Sequence, residues 1–154
     1  MFLLKVCRAF KKYKIPYAIV GGHAVNLHGV VRGTLDIDFI LDWKLSHLKS
    51  CEKALNEMGL VCRVPVSAND VFKNRHELIS KRNMIDWSFI NPASPSEQVD
   101  VIISTDCKSK AIRNKRILGD LVSVLSVEDL IEMKENSGRE QDLIDVEFLK
   151  KVSK

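Results

Sequence analysis

Apolar positions in this chain follow helical spacing in some stretches and strand-like runs in others. Leu3, Cys7 and Phe10 recur at helical intervals with the lysines mostly elsewhere, and Pro16 disfavours helix just before it, so a helix is predicted through about Lys14. "YAIV" at 17–20 reads as a short, fully apolar strand broken by Gly21-Gly22. "HAVNLHGV" fits one or two helical turns ending near Gly29, and "LDIDFIL" at 35–41 is the next strand. Ser46 is placed to cap a helix running to about Met58, with Gly59 as its stop. "LVCRV" at 60–64 predicts a strand and residues 67–82 a helix. "MIDWSFI" at 84–90 and "QVDVIIS" at 98–104 predict two more strands, joined by the turn-rich "NPASPSE". "SVED" at 126–129 and "SGRE" at 137–140 both fit the capping-box pattern, so a helix is expected to start at each, the second carrying Leu143, Val146 and Leu149 at helical spacing.

This mixture of helices and strands predicts an α/β fold. At 154 residues, with 45% hydrophobic and no linker, the chain reads as a single domain over 1–154 with a helical end from about residue 126. A net charge of +4 weakly favours phosphate-bearing partners, and an ordinary lysine surface explains it as well. The densest basic stretches, "KNRHELISKR" and "RNKR", lack the interleaved aromatics of a single-strand binder, so a bare electrostatic contact with nucleic acid stays open. Cys7, Cys51, Cys62 and Cys107 are scattered without metal-ligand spacing and read as small buried hydrophobes in a reducing compartment. The N-terminal segment reads as neither a signal peptide nor a membrane span, so a soluble, cytoplasmic protein without a membrane partner is expected.

Two aspartates interrupt the second apolar strand. Alternation puts Asp36 and Asp38 on one face, about 6.6 Å apart along the chain, with Ile37 and Phe39 on the opposite, buried face. Same-face carboxylates suit a hard cation such as magnesium, which binds one or two carboxylates together with substrate phosphates. A bare D-x-D equally describes a strand end facing water. Gly21-Gly22 changes that weighting, because a strand ending in two glycines lets the backbone approach a phosphate closely. A third carboxylate on a neighbouring strand would complete a two-metal cluster suited to phosphoryl or nucleotidyl transfer. Asp86 and Asp100 both lie on predicted strands; Asp100 interrupts the apolar run Val99, Val101, Ile102 and Ile103, which predicts a central strand buried on both faces.

"YAIVGGHAVNLHGVVRGTLDIDFIL" resembles the signature of the DNA polymerase β-like nucleotidyltransferase superfamily, in its small bacterial branch near the AbiEii-type toxins. "EQVDVIIS" resembles that superfamily's third-carboxylate strand, and "LSVEDLIEMKENSGREQDLIDVEFL" its helical end. The resemblance implies a small mixed β-sheet flanked by helices. It implies Gly21 and Gly22 at the triphosphate, and Asp36, Asp38 and Asp100 as the catalytic, metal-binding carboxylates. Arg32 and Thr34 lie on the approach to the metal strand, and Lys134 and Arg139 match basic positions of the helical end; Arg32, Lys134 and Arg139 read equally as phosphate partners or surface charges. His23 and His28 are given no catalytic role. The implied activity is magnesium- or manganese-dependent transfer of a nucleoside monophosphate from a nucleoside triphosphate to a hydroxyl of RNA, a protein or a small molecule. The alternative is a non-catalytic antitoxin or a regulatory partner of a toxin–antitoxin pair.

Overall fold

The computed structural model describes residues 1–153. Helix α1 (Phe2–Lys12) buries Leu3, Leu4, Val6, Cys7 and Phe10 and leads to strand β1 (Tyr17–Val20). Helix α2 (Gly21–Leu27) follows without an intervening loop, then strand β2 (Ile37–Leu41) and helix α3 (Leu45–Glu57). Next come β3 (Val61–Cys62), α4 (Ala68–Lys73), α5 (Arg75–Arg82), β4 (Asp86–Asn91) and β5 (Ser94–Asp106). The chain ends with the hairpin β6 (Ile112–Ile117) and β7 (Asp120–Leu125), then helices α6 (Val127–Ser137) and α7 (Glu140–Val152).

The seven strands form one mixed sheet in the order β3-β4-β5-β2-β1-β7-β6. β2 is central: it runs antiparallel to β1 and parallel to β5. Its Ile37 and Phe39 face the core, where Phe39 meets Phe10 and Tyr17 edge-on at centroid distances of 4.9 and 5.6 Å. On β5, Val99, Val101 and Ile103 are fully buried while Asp100, Ile102 and Ser104 turn to a pocket. The strand is central, as expected, but buried on one face only, because the period of two sends its even-numbered residues to the pocket.

Several local expectations are corrected. Ser46 lies inside α3, whose N-cap is Lys44 with no side-chain bond, so the helix starts from backbone geometry alone. Ser137 ends α6, and Arg139 stands at the start of α7 without capping it. Ser126 does cap α6, its hydroxyl accepting from the Asp129 amide. The 67–82 helix divides at Asn74, its first half closed by a capping box between Ser67 and Asp70. β3 is shorter than expected, and only Pro92 and Ala93 turn between β4 and β5. The β6–β7 hairpin was not predicted. Its two-residue turn, Leu118-Gly119, has φ of +47° and +88°, and leucine seldom adopts such angles, so the turn is poorly marked in the sequence.

Candidate active site

β1 delivers the chain into a turn that only glycine fits. Gly21 has φ of +68°, and a Cβ added to it would collide with the carboxylate of Asp38. A Cβ on Gly22 would strike the guanidinium of Arg32 and the side chain of Thr34. The two glycines thus let the first helical turn lie directly against the acidic strand and against Arg32 and Thr34. All of these residues line one open cleft of about 890 Å³, of a size for small ligands.

One wall of the cleft is acidic. Asp36 sits immediately before β2 and Asp38 within it, and both line the cleft, as strand alternation predicts. Asp38 is the direct register partner of Asp100 on β5. Asp86, at the start of β4, pairs with Ile102 and therefore lies one step further along the same face. Burial, then the charge of Asp100, then those of Asp86 and Asp36, push the Asp38 carboxyl up to about 8. Burial and Asp100 also raise Asp36 and Asp86. This wall carries more negative charge than its own side chains compensate.

Another part of the lining is basic. Arg32, Lys134 and Arg139 make it up, with Lys110 nearby. Lys134 is not the exposed helix-surface charge that one reading allowed. It is 6% exposed, and its Nζ lies 2.8 Å from Asp145 Oδ2 and 3.4 Å from Asp142 Oδ1. Arg139 donates from Nε to Asp142 Oδ2 at 2.9 Å and lies close enough to Asp86 and Asp38 to feel their charge. Asp142 and Asp145 were missed in the sequence. The available signal was their i, i+3 spacing with Leu149 one further turn on: these face inward, whereas Leu143, expected on the apolar face, is 52% exposed.

The profile of the aminoglycoside-2''-adenylyltransferase family matches residues 2–149. The chain belongs to that family. It is accordingly a nucleotidyltransferase, as its resemblance to the polymerase β-like superfamily implied. No curated protein matches the sequence significantly. Solved structures that share the fold include the following three. LnuA, a lincosamide antibiotic adenylyltransferase solved with lincomycin bound, is 16% identical, covers 98% of this chain and 96% of its own, and has a TM-score of 0.67. ANT(2'')-Ia in complex with adenylyl-2''-tobramycin is 14% identical, with 98% and 90% covered and a TM-score of 0.62. An antigenic nucleotidyltransferase-like protein from Paracoccidioides brasiliensis is 15% identical, with 96% and 74% covered and a TM-score of 0.59.

All nine residues singled out from the sequence (Gly21, Gly22, Arg32, Thr34, Asp36, Asp38, Asp100, Lys134 and Arg139) line this one cleft. His28 is held structurally, its Nε2 2.7 Å from the Leu125 carbonyl, and His23 Nε2 lies 3.4 Å from the Leu35 carbonyl. The described cysteines are unpaired; Cys7, Cys51 and Cys107 are buried. No helix among the described residues is long and apolar enough to cross a membrane.

Proposed function

We propose that this cleft binds a nucleoside triphosphate with a divalent cation and transfers the nucleoside monophosphate to a hydroxyl of a small, antibiotic-like acceptor. The observation that carries the reading is the register pairing of Asp38 with Asp100 against Gly21, in one cleft with Arg32, Lys134 and Arg139. The acidic donor set fits a hard cation: oxygen ligands only, with Asp38 driven to hold a proton by its burial and by the charges of Asp100, Asp86 and Asp36. Among the described residues no group of three or more His, Cys, Asp or Glu side chains is arranged to hold a metal ion by itself. Magnesium needs no such group, since it takes one or two carboxylates and fills its shell from phosphate and water.

Asp36, Asp38 and Asp100 would hold the cation, which supplies neutralisation of charge developing on the phosphoryl oxygens. Gly21 and Gly22 keep side-chain bulk out of the approach between turn and strand. The guanidiniums of Arg32 and Arg139 and the Lys134 ammonium bind phosphate oxygens. Asp100 also helps position or deprotonate the acceptor hydroxyl. Most of the catalysis is then placement and electrostatics. The family, the cleft's size and the antibiotic ligands of LnuA and ANT(2'')-Ia favour a small acceptor over RNA or protein. A non-catalytic partner, or a toxin of the AbiEii type, gains no comparable support, since an uncompensated carboxylate cluster serves neither a scaffold nor a bare docking surface.

The test is incubation of the purified protein with each labelled nucleoside triphosphate, magnesium and a panel of aminoglycosides and lincosamides. Labelled acceptor with pyrophosphate release is expected for at least one combination. No label on any acceptor, with no pyrophosphate released, would overturn the proposal.

A further inference from the structure

Two buried carboxylates stand behind the basic wall. Asp142 and Asp145 on α7 are 3% and 2% exposed. Asp145 accepts from Lys134 Nζ at 2.8 Å and from Gln141 Nε2 at 2.9 Å, and its Oδ1 lies 3.3 Å from Arg32 Nε. Asp142 accepts from Arg139 Nε at 2.9 Å and pairs with Lys134 at 3.4 Å. Two carboxylates therefore hold three cations that come from separate segments: the 30–36 connection, α6 and the start of α7.

We propose that Asp142 and Asp145 are positioning residues that fix Arg32, Lys134 and Arg139 as one cationic wall aimed at the phosphates of the nucleotide. The inference rests on reading the cleft as a nucleotide site. A stability role alone does not account for the arrangement, because well-packed apolar residues of similar volume are often at least as stabilising as a buried ion network. The network instead sets direction. Arg32 Nε is buried within ion-pair distance of Asp145 without a hydrogen bond, so the guanidinium is held by charge, and its terminal nitrogens, one of them against the Gly22 turn, are left for a ligand. Lys134 uses two of its three donors on the aspartates. Three cations against two carboxylates leave one positive charge in the same cleft as the acidic wall. Arg139 is near enough to Asp38 and Asp86 to feel both. A nucleotide's phosphates, entering the cleft, meet donors already oriented.

Calorimetric titrations of wild type, Asp145→Asn and Asp142→Asn with ATP and with AMP, in magnesium, test the proposal. A positioning role makes the loss specific to the polyphosphate. Asp145→Asn is expected to weaken ATP roughly tenfold or more while AMP changes less than about twofold. Asp142→Asn, which leaves Lys134 its shorter bond to Asp145, keeps the fold and weakens ATP about threefold or more with the same selectivity. That variant decides the matter if Asp145→Asn does not fold. ATP affinity unchanged in the folded variants, or ATP and AMP weakened equally, overturns the positioning role and leaves the nucleotide site intact. A wild-type protein that binds no ATP overturns the nucleotide site and the inference with it.

Discussion

The cleft has two charged walls that handle charge in opposite ways. On the β2–β5 wall, Asp36, Asp38, Asp86 and Asp100 crowd together and Asp38 retains a proton to near neutral pH. On the α6–α7 wall, Lys134 is more deeply buried yet paired with two aspartates, and Asp142 is held below the usual carboxylate range. Burial opposes its ionisation, but bonds to Arg139 and Ser137 and the charge of Lys134 prevail. A buried charge that its neighbours compensate is architecture; one that they leave uncompensated awaits a ligand. The contrast gives each wall its own response to mutation.

The largest effect is expected in activity. Asp38→Asn or Asp100→Asn should lower transfer by at least about 10²-fold, the scale of losing a pre-placed electrostatic stabiliser. At pH 8 Asp38→Asn should melt no lower than wild type, because it removes like-charge repulsion. Transfer within tenfold of wild type in both variants would take the acidic wall out of the chemistry.

Lys134→Met should do the reverse to stability. It leaves Asp142 and Asp145 buried against too little positive charge and should cost about 3–5 kcal/mol in denaturant unfolding. A loss below about 1 kcal/mol would mean that the two walls do not differ as described.

A smaller effect follows from pH. With Asp38 raised to about 8, the folded chain keeps a proton that the unfolded chain has released, so stability falls as pH rises between the usual carboxylate value and 8. Asp36 and Asp86 are shifted in the same direction. His23 and His28 are held low and contribute with the opposite sign, but only below about 6.5. Cys7 and Cys107, raised to about 11, matter only from about the ordinary thiol value of 9.0 upward. Between pH 6.5 and 8, in chelating buffer, the wild-type melting temperature should therefore drop, by on the order of 5 °C, and in Asp38→Asn it should stay level. A level or rising wild-type profile contradicts the uncompensated wall.

The smallest effect belongs to Asp86. It shares the acidic face, but it lies at the open rim, off register from Asp38, and Arg139 offsets its charge. Asp86→Asn should keep transfer within about threefold, a change of under 1 kcal/mol. A hundredfold loss would make Asp86, not Asp100, the third carboxylate.

The acidic wall was legible in the sequence because its physics is local. A two-residue period puts Asp36 and Asp38 on one face, and Gly21-Gly22 marks the only turn that fits beneath them. Asp100 was legible as a polar break in an apolar strand, although the strand proved to have one buried face rather than two. The basic wall was half legible. Lys134 and Arg139 stood out by resemblance, but the aspartates that hold them did not, since what Asp145 meets on Arg32 depends on how α7 docks rather than on spacing. The β6–β7 hairpin escaped for a local reason: Leu118 occupies a left-handed position where Asn or Gly would have announced the turn.

The most direct test of the two-walled site is calorimetric titration of the wild-type protein and Asp38→Asn with ATP, in magnesium and in chelator. Magnesium should strengthen ATP binding roughly tenfold or more in the wild type and have little effect in the variant. Wild-type binding that is absent, or equally strong without magnesium, would contradict the account.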